Sequence, residues 1–259
     1  MGAIQYLYPE HLLLYPNKWE IEAEQGLATK TWVGADTQPL FERNLKKQPA
    51  DWYYRTQPVT YQFNSNNYRC PEWANIVWQD SWVMLGCSIV EGVGLALDDC
   101  VASQLSHVIK EPVVNLGVGG SGLDVTMFNS IRLLKNGIRP KGVVLLQGNH
   151  NLARVAVFSP IHATLAGSWI LDRPKAEGFP LDTLFKLWTA HPNNAEAHTQ
   201  MHLEGVIALW KCANIPVFSI SINNLSNITD RARDIMHPGR ETVKSWAQEI
   251  AAKIESYNI

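Results

Sequence analysis

From about residue 78 the chain alternates short apolar runs with longer stretches of helical periodicity, and few folds accommodate that pattern. The apolar runs sit in "IVWQDSWVMLG", "PVVNLG", "KGVVLLQG" and "IPVFSISI". Between and after them, "EGVGLALDDCVASQLSHVI", "LDVTMFNSIRLLKNG" (ending at Gly137), "NAEAHTQMHLEGVIALWKCAN" and "PGRETVKSWAQEIAAKIESY" read as helices, the last with Pro238 near its first turn. Strands that alternate with helices form a parallel sheet covered on both faces, so a three-layer α/β/α architecture is expected. Ligands of such sheets bind beyond the carboxyl ends of the strands. There the chain places Gly86-Cys87-Ser88, Asn115 to Gly122, Gly148 to Asn151, and the loop holding Asp234 and His237.

Residues 1–75 differ in character and are expected to form an N-terminal aromatic-rich extension packed on a main domain of residues 76–259. Six of the ten tryptophans fall between Trp19 and Trp82, and "PVTYQFNSNNYR" alternates like a half-buried strand running into an Asn-rich turn. Such aromatics more often pack an added layer onto a core than line a sugar-binding surface. Residues 153–195 are less regular. The 259 residues suffice for one sizeable core.

A net charge of −2 with no run of like charges gives no footprint for nucleic acid. The first twenty residues carry no basic leader, "MGAIQY" lacks the Ser/Thr of a myristoylation signal, and no apolar stretch approaches a bilayer span. A soluble, cytoplasmic protein with no membrane partner is therefore expected. Cys70, Cys87, Cys100 and Cys212 form no CxxC pair, which suits free thiols. Oligomeric state is not legible.

"GVGGSG", Gly117 to Gly122, matches a dinucleotide fingerprint and lies between a strand and a helix, yet no acidic residue follows at the distance needed for a ribose. Ser88 is better placed for chemistry. It follows a strand at the start of a helix, where unpaired N–H groups face an incoming oxygen. "ARDIMHPG" supplies the base a serine needs: His237 to take the proton and Asp234 to orient the ring.

In their order along the chain, Gly86-Cys87-Ser88, Asn115 with Gly120, and Asp234-x-x-His237-Pro238-Gly239 resemble the SGNH (GDSL-type) hydrolase family over roughly residues 60–250. "YQFNSNNYR" is also similar to a lead-in segment of some members. The resemblance implies a flavodoxin-like three-layer sandwich with a mainly parallel sheet. It further implies a catalytic triad of Ser88, His237 and Asp234, and an oxyanion hole from the backbone N–H groups of Ser88 and Gly120. The third donor falls among Asn149, His150 and Asn151, because the family's Gly-x-Asn-Asp aligns on Gly148 to Asn151 and puts His150 where Asn belongs. Cys87 replaces the family's Asp.

The resemblance implies a serine esterase without cofactor or metal, its substrate a small-molecule or carbohydrate ester, short-chain acyl or O-acetyl. The alternative is a module of the same fold that has lost catalysis and recognises a glycan or protein partner. Other candidates are weaker. Cys87 as nucleophile is one residue out of register, and Ser121 suits an oxyanion loop. His198 and His202 share a helical face but lack the Glu of H-E-x-x-H, and the side chains of Asp98 and Asp99 diverge.

Overall fold

The structure is a computed structural model that describes residues 28–148, 154–158, 163–167, 181–191 and 193–256. Four strands, β3 (Trp82–Gly86), β4 (Val113–Gly117), β5 (Gly142–Gln147) and β8 (Val217–Ser221), form one wholly parallel sheet in the order β4-β3-β5-β8. All residues of β3 and β5 are buried, as expected of strands covered on both faces. Their period of two sorts the side chains. Val83, Leu85, Val143 and Leu145 enter one apolar cluster, whereas Met84, Val144 and Leu146 enter the other.

The first cluster lies under α4 (Leu123–Lys135) and α6 (Asn194–Cys212), through Val125, Leu133, Val206 and the fully buried Trp210. The second lies under α3 (Val101–Ile109) and α7 (Arg240–Glu255), through Leu105, Trp246 and Ile250. These are the three layers. The register sets Gly86 beside both Gly117 and Leu146, so β3, β4 and β5 deliver their following loops to one edge.

The described part of the extension contains β1 (Ala28–Lys30), α1 (Gln38–Leu45) and β2 (Tyr61–Phe63), with β1 and β2 antiparallel. In β2, Tyr61 and Phe63 face inward and Gln62 outward. Tyr54, Tyr61 and Phe63 join the cluster that holds Trp246. Aromatic area here is used for packing, on the order of 3 kcal/mol for each large side chain.

Two expectations change. The helix expected over 91–109 is broken into a one-turn α2 (Ser88–Glu91), a loop, a 3-10 turn at Leu97–Asp99, and α3. Gly92 and Gly94 adopt φ of +80° and +82°, which no continuous helix allows. The irregular 153–195 stretch contains an antiparallel hairpin of β6 (Arg154–Phe158) and β7 (Ala163–Gly167), then α5 (Leu181–Thr189). No described helix is long and apolar enough to cross a membrane. The expectations about a leader or lipid signal concern residues outside those described.

Candidate active site

β3 ends at Gly86, and Cys87, in an extended conformation, precedes Ser88 at the start of α2. The Cys87 carbonyl accepts from the N–H groups of Val90 and Glu91. Its thiol makes no capping bond and lines a small cavity. This short helix is held against β4 by close backbone approach: a Cβ on Gly117 would lie 2.2 Å from the Glu91 nitrogen. Asn115, buried on β4, donates from Nδ2 to the Val90 carbonyl at 2.7 Å and accepts the Gly117 N–H at 3.0 Å. From the other side Arg69 donates to the carbonyls of Glu91, Gly92 and Leu95. Ser88 thus stands on a turn fixed from two sides.

The loop between β8 and α7 brings the other two residues. A bridge between Arg231 and Pro238 and the bond from Ala232 N–H to the His237 carbonyl, 3.0 Å, close it into a tight turn. Within it, Asp234 Oδ1 accepts the N–H groups of Met236 and His237 at 3.0 and 3.1 Å. Its other oxygen accepts from His237 Nδ1 at 2.5 Å, and His237 Nε2 lies 2.8 Å from Ser88 Oγ. With Nδ1 facing a carboxylate, Nδ1 carries the proton and Nε2 accepts from the serine hydroxyl. Three residues, two of them 149 positions apart, form one hydrogen-bonded line.

Asp234 is fully buried and Ser88 nearly so, whereas the His237 side chain is 16% exposed. Burial pushes the Asp234 carboxyl up. Hydrogen bonding from the His237 ring, the ring's charge and the two backbone N–H bonds outweigh it and hold the group below its ordinary value. A carboxylate held in its ionised form behind a histidine at neutral pH stabilises an imidazolium formed when Nε2 takes a proton.

The Ser88 N–H opens α2, where no carbonyl of its own helix can reach it. Gly120, in the loop after β4, has φ of +74°. Beneath that loop lies Glu91, fully buried, its carboxyl accepting the Gly119 N–H. Burial raises the Glu91 pKa to about 7, against the opposing charges of Arg69 and His237 and that backbone bond. Asn149, His150 and Asn151 lie outside the described residues. The cavity beside the site, about 70 Å³, is lined by Cys87, Ser121, Gly122, Gln147, Gly148 and Arg154 among others.

The remaining candidates are placed apart from this line. Ser121 is buried, with its carbonyl accepting from Arg154. Gly117 is needed for the packing of α2 on β4, which accounts for the start of the glycine-rich run without a nucleotide. His202 Nδ1 donates to the His198 carbonyl at 2.7 Å along α6, and among the described residues no group of three or more His, Cys, Asp or Glu side chains could hold a metal ion. Asp99 pairs with Arg240 at 3.5 Å. The four cysteines are unpaired thiols.

No protein-family model and no curated protein matches the sequence. Among solved structures, the chain is similar to a protein from Desulfitobacterium hafniense DCB-2 described as lipolytic and of the G-D-S-L family. The identity is 14% and the TM-score 0.36, over 67% of this chain and 98% of that one. It is also similar to a protein from Bacteroides ovatus ATCC 8483 described as a GDSL-like lipase, at 15% identity and a TM-score of 0.35, over 69% of this chain and 53% of that one.

Proposed function

We propose that the protein is a serine hydrolase of carboxylic esters, with Ser88 as nucleophile, His237 as general base and Asp234 as its orienting carboxylate. The observation that carries this reading is the continuous line from Asp234 through His237 to Ser88, at 2.5 and 2.8 Å. Ser88 Oγ attacks the ester carbonyl as its proton passes to His237 Nε2. The tetrahedral oxyanion is held by the N–H groups of Ser88 and Gly120 and by a side chain from residues 149–151. Collapse of the intermediate expels the alcohol, which takes the proton from His237. A water activated by the same nitrogen then releases the carboxylic acid and regenerates Ser88.

Cys87, next to Ser88 in the chain, opens onto a cavity of about 70 Å³ with room for a short acyl group such as acetyl, and the partly exposed His237 leaves the alcohol portion a way to solvent. O-acetylated carbohydrate is the substrate class to try first. Fluorophosphonate labelling combined with a p-nitrophenyl ester panel tests the assignment. Wild-type protein is expected to be labelled at Ser88 and to hydrolyse the acetyl ester, while Ser88→Ala does neither and stays folded. Undiminished turnover by Ser88→Ala refutes the reading, and no labelling where a known serine hydrolase is labelled favours a binding module of the same fold.

A further inference from the structure

We propose that Tyr61 and Asp36, both in the N-terminal extension, are positioning residues that set the approach of His237 to Ser88. The inference rests on the triad assignment under the proposed function. Four residues form a closed hydrogen-bonded circuit. The Gly94 N–H donates to the Tyr61 hydroxyl at 2.7 Å, and that hydroxyl donates to Asp36 Oδ2 at 2.5 Å. Asp36 accepts from Arg233 Nε at 3.1 and 3.0 Å and from Nη2 at 2.7 Å. The Arg233 backbone N–H returns to the Gly94 carbonyl at 3.1 Å.

Each end of this circuit touches one half of the triad. Gly94 lies in the loop that follows α2, two residues past Gly92, whose N–H is bonded to the Ser88 carbonyl. Arg233 precedes Asp234 in the chain. The two loops also meet directly: a Cβ on Gly94 would come within 2.7 Å of Ala232 Cβ and 3.3 Å of Asp234 Oδ1. At this meeting point the Tyr61 hydroxyl, bonded to the Gly94 N–H, tethers the first loop, and Asp36 tethers the second through Arg233.

The extension encloses Arg233 almost completely. Its guanidinium sits 4.1 Å from the centre of the Trp32 ring and donates to the carbonyls of Thr31 and Val59, and its own carbonyl accepts from Asn44 Nδ2 at 3.1 Å. Asp36 and Tyr61 are fully buried, and the Arg233 side chain is 3% exposed. A buried ion pair adds little net stability compared with apolar side chains of the same volume, because desolvation opposes the attraction. What it supplies is a fixed geometry, directional and paired at every donor it uses. Tyr61 and Asp36 thereby act on the triad through Gly94 and Arg233.

Tyr61→Phe removes one hydroxyl and keeps the packed ring, and Asp36→Asn removes the charge. Two readouts separate positioning from plain stability. The first is the far-downfield His237 Nδ1 proton in the NMR spectrum, assigned by its loss in His237→Gln. The second is kcat, KM and the pH profile of ester turnover. Tyr61→Phe is expected to broaden or shift the proton signal and to lower kcat about tenfold with KM within about twofold, and Asp36→Asn about a hundredfold. Should Asp36→Asn fail to fold, Tyr61→Phe decides alone. A folded Tyr61→Phe with a lowered Tm but the wild-type proton signal, kcat and pH profile overturns the proposal. If Ser88→Ala keeps full turnover, the catalytic reading falls, and the His237 proton still reports whether the extension positions the ring.

Discussion

At the scale of single residues, the Asp234 carboxylate has two tasks that one substitution separates. Its Oδ1 shapes the turn through two backbone N–H groups, and its Oδ2 fixes the His237 tautomer. Asp234→Asn keeps an oxygen for the turn and offers the ring an amide N–H in place of an acceptor. Steady-state kinetics should show kcat lowered by about three to four orders of magnitude with KM little changed. A loss below tenfold contradicts the role given to Asp234. The hydrogen-bonded line of Ser88, His237 and Asp234 is legible in the sequence because all three residues occupy loops at predicted strand ends, where side-chain chemistry is not explained by packing. Glu91 and Arg233 are not. Their partners Gly119 and Asp36 are distant in sequence, and burial of a charge is a tertiary property. One trace of Glu91 is visible: it is the sole charged residue between Asp80 and Asp98.

At the scale of elements, the proposed nucleophile Ser88 stands on a single helical turn that could not hold itself together. One turn of helix is unstable in isolation. α2 persists because Asn115 and Arg69 donate to its last carbonyls and because Gly117 lets it lie directly on β4. A methyl group at 117 would meet the Glu91 nitrogen at 2.2 Å and the Val90 carbonyl carbon at 2.7 Å, backbone atoms that cannot rotate away. Gly117→Ala should therefore push α2 off the sheet, costing about 1–3 kcal/mol in urea unfolding and moving Ser88 from His237. Fluorophosphonate labelling should slow by more than tenfold even where the protein is folded. Labelling at the wild-type rate would show that Ser88 does not depend on this packing. The strands are legible because doubly covered strands are continuous apolar runs. The break between α2 and α3 is not, since "EGVGLAL" keeps helical hydrophobic spacing through glycines whose positive φ is visible only in three dimensions.

At the scale of the whole molecule, stability against pH integrates groups that pull in opposite directions. Asp234, held below its ordinary value, contributes stability that is complete above its unfolded pKa near 3.8 and is lost as pH falls through the folded value. Glu91 has the reverse sign. With its pKa raised from 4.5 to about 7, the folded protein keeps a proton that the unfolded chain has already released. Its contribution is intact below pH 4.5, declines as pH rises toward about 7, and above that leaves a constant penalty on the order of 3 kcal/mol. Glu91→Gln copies the protonated form in shape and charge, and its amide oxygen can still accept the Gly119 N–H. Groups common to both proteins cancel in the difference between variant and wild type, so urea unfolding at pH 5, 6, 7 and 8 isolates this one site. The variant should match wild type near pH 5 and become the more stable protein by pH 8. A difference that stays level across this range would mean that Glu91 is already ionised in the fold, with Arg69 nearby compensating its charge.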